Sequence, residues 1–292
     1  MCIRDSAYGV RTAVSRDGGA TWSAPWTPHE DATPTEHGFV SIWPEADGAW
    51  SLVWLDGRQY AEGPHGAATD EMTIRARTVA ADGTPGPEAV LDHRACDCCQ
   101  TDVAMTSRGP AVVYRDRTDG EIRDIYLSRR DGDAWTPGHP VHDDGWEIGG
   151  CPVNGPAMDA AGSDVVVAWF TGAREEPRVQ VAFSGDDGDT FSPPVRVDDG
   201  RAVGRVDVVR LEGGDALVAW LEETDEGAEI RLRRVSPAGE AGASWTMART
   251  SAARASGFPQ FVPLAGGGFL AAWTEIRDDA PSRVRVSVVE AP

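Results

Sequence analysis

The chain of 292 residues has no lysine: all 27 of its basic residues are arginine. That absence excludes a phosphate-loop lysine, a Schiff-base lysine and any other mechanism that needs an ε-amine. Positive charge as a whole is scarce. Against 47 carboxylates it leaves a formal charge of −20 and a pI near 4.6. Nucleic acid and anionic lipid are recognised by clustered cations, so neither is expected as a partner. No apolar run approaches the roughly 18 residues of a membrane-crossing helix, and no membrane span is expected. No stretch holds apolar residues at i, i+3, i+4 and i+7 for three turns, which leaves no amphipathic helix. Tyrosine is confined to Tyr8, Tyr60, Tyr114 and Tyr126.

What is present is a period of two. Ile230-Arg231-Leu232-Arg233 and Arg283-Val284-Arg285-Val286-Ser287-Val288 alternate strictly and read as half-buried strands. The chain reads as all-β, with enough apolar residues (41%) for a packed core. It is also repetitive. Strands ending in a large aromatic recur at Trp54, Tyr114, Trp169, Trp220 and Trp273, in steps of 60, 55, 51 and 53 residues. Upstream of each, a further strand is expected to start near Gly38, Cys98, Cys151, Gly204 and Gly257. A unit of this size with four short strands fits one blade of a β-propeller, which must stack on its neighbours to bury both faces.

Ser15-Arg16-Asp17-Gly18-Gly19-Ala20-Thr21-Trp22 fits S-x-D-x-G-x-T-W, and Ser184 to Phe191 fits it with Phe for Trp. Ser128 to Trp135, around Asp131, is a degraded copy. In such a turn Asp accepts backbone N–H bonds, Gly supplies positive φ and the aromatic plugs the blade. These turns resemble the Asp boxes, or BNR repeats, of the sialidase superfamily. The resemblance implies a sialidase-like six-bladed β-propeller with its first blade incomplete. Residues 1–6 read as a non-native leader, and 7–292 as one propeller domain: a partial blade over 7–27, then blades over about 36–91, 94–145, 147–199, 201–250 and 254–290. The deficits at both ends fall where a lost N-terminus would put them. The family also implies an extracytoplasmic location.

If the Asp-box turns mark one face of the ring, the candidates for chemistry lie on the other. In sialidases three arginines clamp a carboxylate, a Tyr activated by a Glu is the nucleophile, and an Asp is the acid/base. On that pattern Asp56, Arg58, Asp70 and Glu71 are the catalytic candidates. His37, Arg94, Arg115, Arg205, Arg254 and the non-recurring Trp146 are the ligand-binding ones. The chain departs from the pattern at two places. His37-Gly38-Phe39 stands where an Arg-Ile-Pro triplet is implied, and the last blade opens Gly257-Phe258-Pro259-Gln260 without a tyrosine.

Cys96-Asp97-Cys98-Cys99 and Cys151 lead into neighbouring blades one repeat apart and should meet near the axis. One reading is a disulfide from Cys98 or Cys99 to Cys151, which alternation allows for only one of the two. Another is a metal site of Cys96, Cys98, Cys99 and Cys151, although C-x-C-C departs from the spacing of ordinary zinc sites. A third is inert burial. The expected function is recognition or processing of an acidic glycan at an Arg-lined axial cleft, with no cofactor required. The alternatives are a non-hydrolytic propeller whose cysteines hold a metal or do redox work, and a scaffold domain.

Overall fold

A computed structural model of the chain describes residues 8–63, 67–264, 268–277 and 280–290; the leader over 1–6 lies outside them. The described residues form 20 strands in five antiparallel sheets, with only short 3-10 turns besides. The first sheet holds β1 (His37–Pro44), β2 (Trp50–Asp56), β3 (Met72–Val79) and β4 (Pro85–Ala95), in that order. The second holds β5 (Asp102–Thr106), β6 (Gly109–Arg115), β7 (Ile125–Asp131), β8 (Ala134–Trp135) and β9 (His139–Pro140). The third runs β10 (Ala157–Ala161), β11 (Asp164–Thr171), β12 (Arg178–Ser184), β13 (Val195–Arg196). The fourth runs β14 (Ala202–Arg210), β15 (Ala216–Thr224), β16 (Gly227–Val235), β17 (Ala241–Thr250). The fifth has β18 (Gln260–Pro263), β19 (Phe269–Arg277) and β20 (Ala280–Val289).

The second strand of each of the first four sheets is an almost unbroken apolar run, because it is buried on both faces. In β2, Val53 and Leu55 pack toward the second sheet, while Leu52 and Trp54 pack toward Val10 and Trp26. In β11, Val165, Val167 and Trp169 face the second sheet and Val166, Ala168 and Phe170 face the fourth. In β15, Val218 and Trp220 face the third sheet, and Leu217, Ala219 and Leu221 face the fifth. The core is therefore a series of layers between neighbouring sheets. Four of the five recurring second-strand aromatics send their polar edge to a carboxylate: Trp54 to Asp56, Trp169 to Asp144, Trp220 to Glu222 and Tyr114 to Asp92, at 2.6–2.8 Å.

The first strands line a cavity of about 480 Å³, with contributions from β1, β5, β10, β14, β18 and the residues just before them. Side chains stitch each first strand to the next. Ser41 Oγ donates to the Thr101 carbonyl (2.8 Å), and Asp102, Asp159 and Asp207 accept the N–H groups of Met158, Arg210 and Phe261 at 2.6–2.8 Å. The two S-x-D-x-G-x-T-[WF] turns match bond for bond. Asp17 accepts the N–H and hydroxyl of Thr21 (2.9 and 2.6 Å), and Asp186 those of Thr190 (2.9 and 2.6 Å).

Two local expectations change. The strand starts expected at Cys98, Cys151 and Gly257 fall later, at Asp102, Ala157 and Gln260. The disulfides described below and Gly149-Gly150-Cys151-Pro152 hold the preceding segments in non-strand conformations. The alternating β20 is not half-buried: Val284, Val286 and Val288 are 60–69% exposed, since among the described residues no strand pairs with its outer edge.

Candidate functional site

The sequence candidates separate into two charged groups. The first surrounds Asp56, at the end of β2. Its carboxylate is fully buried and accepts the Trp54 indole N–H, the Arg58 backbone N–H and a bidentate fork from Arg58 at 2.7 and 2.6 Å. Arg58 also reaches Glu88 (2.9 Å) and Asp31 (3.7 Å), so its guanidinium points to β4 rather than to the axis. His37 lies inside the same group. Its Nδ1 bonds the Thr35 carbonyl at 3.0 Å, and its Nε2 faces Asp31 (3.2 Å) and Asp56 (3.6 Å). Burial disfavours the imidazolium, but the Asp31 bond and the Asp56 charge outweigh it and raise the pKa. His29, Asp31 and His37 place ligand atoms within 4.8 Å of one another. Their imidazoles, however, stack parallel at 3.7 Å, so the in-plane lone pairs cannot converge on one ion. This group is largely withdrawn from solvent: Asp31, Arg58 and Glu88 keep only 4–13% of their side chains exposed, at a shallow pocket beside β4.

The second group is open. A cleft of about 540 Å³ is lined by Glu36 and Tyr60 from the first sheet's connections, by Asp97 before β5, and by Arg117, Glu121 and Arg123 between β6 and β7. Gly149, Gly150 and Cys151 before β10, and Arg254 before β18, complete it. All come from loops between second and third strands or from lead-ins to first strands. By contrast, Asp187 in the Ser184–Phe191 turn is bonded to Ser107 and Arg108 in the β5–β6 turn, a first-to-second connection.

Within the cleft the Tyr60 hydroxyl donates to Asp97. Arg117 and Arg123 both bind Glu121 (2.7 Å each) and approach Asp97 at 3.7 and 3.9 Å. The Arg117 bond, aided by Arg123, holds the Glu121 carboxyl down at about 2. Desolvation works against the Arg117 charge, but Glu121, Asp97 and Asp70 raise its pKa. Arg254 is exposed and makes no ion pair among the described residues. Three non-glycine residues take left-handed backbone conformations near the starts of first strands: Phe39 (φ 51°) and Arg205 (54°) at register shifts within β1 and β14, and Val153 (53°) in the lead-in to β10. That conformation is costly for a β-branched residue such as Val153.

Asp70 and Arg94 stand on the cleft rim: Asp70 binds Arg117 at 3.0 Å, and Arg94 lies 3.8 Å from both Asp70 and Glu121. Glu71 bonds locally with Thr69 and does not join them. Three ligand-binding candidates belong to the frame. Arg115 is fully buried, and its guanidinium donates to the carbonyls of Asn154, Arg123 and Phe170. It stacks on Trp146, which packs edge-on against Phe170 and offers no face to a sugar. Arg205 donates to Ser256 and to the Ala253 carbonyl (2.8 Å), tying β14 to the turn before β18. Among the cleft residues, Asp97 and Arg117 lie in segments, 94–99 and 115–117, that strand order alone assigns to this face, whereas Glu121 and Arg123 were not singled out from sequence; their signal is position alone, in a loop that leads to the axis.

Four of the chain's five cysteines form two disulfides, Cys96–Cys99 (Cα–Cα 5.8 Å) and Cys98–Cys151 (6.1 Å). The second ties the lead-ins of neighbouring sheets, and Cys98 and Cys99, which lie in a turn rather than a strand, take different partners. Cys96–Cys99 is a C-x-x-C pair that the reading of C-x-C-C as a unit passed over. Paired in this way, the sulfurs offer no thiolate to a metal.

No protein-family model matches the chain, and no curated protein matches it in sequence. Solved structures do match in fold. The BP39L lectin from Burkholderia pseudomallei is 12% identical, with 97% of this chain and 75% of that one covered at a TM-score of 0.65. A protein of unknown function from Dyadobacter fermentans is 14% identical, with 87% and 79% covered at 0.59. The K499G mutant of the NanB sialidase from Streptococcus pneumoniae is 10% identical over 96% of this chain at 0.57, and this chain spans 62% of its length. The fold is that of a sialidase-like β-propeller.

Proposed function

We propose that the protein binds a carboxylate-bearing glycan in the open cleft. Arg254 carries this reading: in a chain of charge −20 it is a guanidinium without a carboxylate partner among the described residues, opening on a cleft. A sugar carboxylate would accept its fork of N–H donors. Asp97, Glu121 and Glu36 supply acceptors for hydroxyl groups, and Tyr60 supplies a ring edge. Lectin and sialidase neighbours of the same fold agree with a glycan ligand. In the same reading the ring has six blades, with residues 8–27 in an incomplete one. The Thr12–Trp26 bridge and a turn bonded like that of the third sheet support it. Two disulfides fit an extracytoplasmic location.

Calorimetric titration with oligogalacturonate or sialyllactose, beside neutral oligosaccharides of equal length, tests the reading. The acidic sugars are expected to bind at least about tenfold more tightly, a difference of about 1.4 kcal/mol. Equal affinity for both classes, or binding by neither, overturns it. A second reading, glycoside hydrolysis, rests on the Tyr60–Asp97 bond inside the cleft.

A further inference from the structure

The cysteine pairs are arranged for exchange as well as for bracing. Cys96 and Cys99 are buried, whereas Cys98 and Cys151 are partly exposed and Cys151 lines the cleft. The sulfurs of Cys96, Cys98 and Cys99 all lie within 4.8 Å of one another, so the two disulfides adjoin. Arg123 donates toward the Cys96 sulfur at 3.8 Å, and a guanidinium there stabilises a thiolate. A structural staple needs none of these features: not a second disulfide beside it, not a cation on one sulfur, and not an exposed bond in front of a buried one.

We propose that the two disulfides form a thiol–disulfide exchange site whose reductant is a dithiol, and that its redox state sets the wall of the cleft. A thiolate of the dithiol attacks Cys151 Sγ, the bond to Cys98 breaks, and Cys98 leaves as a thiolate. The second thiol of the reductant then displaces Cys151 and closes the reductant's own disulfide. Two electrons have passed to the protein; Cys151 takes up a proton as a thiol, and Cys98 remains a thiolate until the Cys99 thiolate it displaces takes up a proton in its place. The Cys98 thiolate attacks Cys96 Sγ, forms Cys96–Cys98 and releases Cys99, so reducing equivalents reach the buried pair; a second dithiol reduces the new bond. Arg123 stabilises the resulting Cys96 thiolate.

The wall responds because Cys98–Cys151 pins the 149–153 segment between two anchors. Ile148 N–H bonds the Glu121 carbonyl (3.0 Å), and Gly155 N–H bonds the Gln100 side chain (2.7 Å), so close to it that a Cβ at 155 would collide with the Gln100 carbonyl. Reduction releases Gly149, Gly150 and Cys151 from Asp97 across the cleft. This gating half rests on the glycan-cleft reading; the exchange half does not.

Thiol trapping on the full chain under native conditions, with dithiothreitol as the dithiol and alkylated peptides read by mass spectrometry, tests the exchange. Cys98 and Cys151 are expected to be trapped first, and Cys96 and Cys99 later in the same titration. In the Cys98→Ser/Cys151→Ser variant, native by circular dichroism, reduction of Cys96–Cys99 is expected to slow by about tenfold or more for want of an exposed bond. Reduction of that pair at the unchanged rate overturns the relay. So does protection of all four sulfurs until the protein unfolds, or one equivalent of bound metal with four thiols alkylated only after chelation. Titration of oxidised and reduced protein with tri-galacturonate reads the gating, and an affinity loss of about fivefold on reduction is expected. Equal affinity in both forms overturns the gating. Binding in neither form overturns the cleft reading and the gating with it, while the exchange is judged on the trapping alone.

Discussion

Arg58 and Tyr60 are two residues apart, yet they belong to opposite kinds of site. Around Arg58, arginine and carboxylates close on one another beside His37, whose pKa Asp31 and Asp56 raise, with Asp56 fully buried and the Trp54 indole spent on it. Around Tyr60 the same residue types gather at the edge of a cleft, partly neutralised by Glu121, with Arg254 left over. The buried group repeats a device of the fold: Trp220 bonds Glu222 two residues on, just as Trp54 bonds Asp56. The open group does not recur. Residue type marks neither site as functional; access to solvent and failure to repeat do.

The largest expected effect lies in the buried group. Asp56→Ala takes the bidentate partner from the buried Arg58, a neighbouring negative charge from His37 and the acceptor from the Trp54 indole. A loss of about 3–5 kcal/mol in urea denaturation is expected. Asp97→Ala, in the open group, exchanges its partners for water and is expected to cost less than about 1.5 kcal/mol. Equal losses would erase the distinction between the two groups.

Carboxylates gathered around the central cavity and carboxylates of the open cleft should also separate with pH. Burial, reinforced for Asp207 by the charge of Asp102, raises Asp102 to about 6 and Asp207 to about 8. Folded protein then holds protons that unfolded chain has already lost, so stability is expected to rise as pH falls from 8 toward 4. His37, raised in the fold, adds stability below its ordinary 6.5 that disappears as pH climbs through its folded value. Glu121 works the other way: held at about 2, it stabilises above its ordinary 4.5, and that contribution is lost as pH drops toward 2. Melting temperature should therefore peak near pH 4–5, and Asp207→Asn should flatten the slope between 5 and 8. A melting temperature that is flat or rising over that interval would contradict the burial assigned to the axial acids.

Much of this architecture is legible in the chain. Runs such as Val165 to Phe170 have no period because both faces are buried, and their recurrence every 50–60 residues reveals the layers. The equal spacing of Cys98 and Cys151 placed them at matching points of neighbouring sheets, and they are bonded there. The cleft was less legible. Strand-Asp-Gly-Arg at 56–58 carried the family's letters, but a side chain's direction is set by what it meets, and Arg58 meets Glu88 on β4. Asp97, Glu121 and Arg254 come from three different loops, and no local pattern states which loops converge at an axis.

On the open side Arg254→Ala is expected to weaken binding of an acidic oligosaccharide by about tenfold or more. Stability should change by less than about 0.5 kcal/mol, because the side chain is exposed. If binding survives while stability falls, Arg254 belongs with the frame, like Arg205.

The smallest effect on binding is expected at Tyr60. Its hydroxyl donates one hydrogen bond to Asp97, and that carboxylate keeps Arg117 and Arg123 nearby when the hydroxyl is gone. Tyr60→Phe should thus cost about 1 kcal/mol in stability and only a few-fold in affinity for an acidic sugar. The chain has no tyrosine leading into its last sheet, so a sialoside reporter is expected to undergo little or no hydrolysis with either protein. Release of the reporter's leaving group, followed by absorbance, decides the point. Turnover by the parent chain that vanishes in Tyr60→Phe, with binding retained, would make the Tyr60–Asp97 pair a nucleophile and its activating carboxylate. The contrast between the two groups would then sharpen from buried against binding to buried against catalytic.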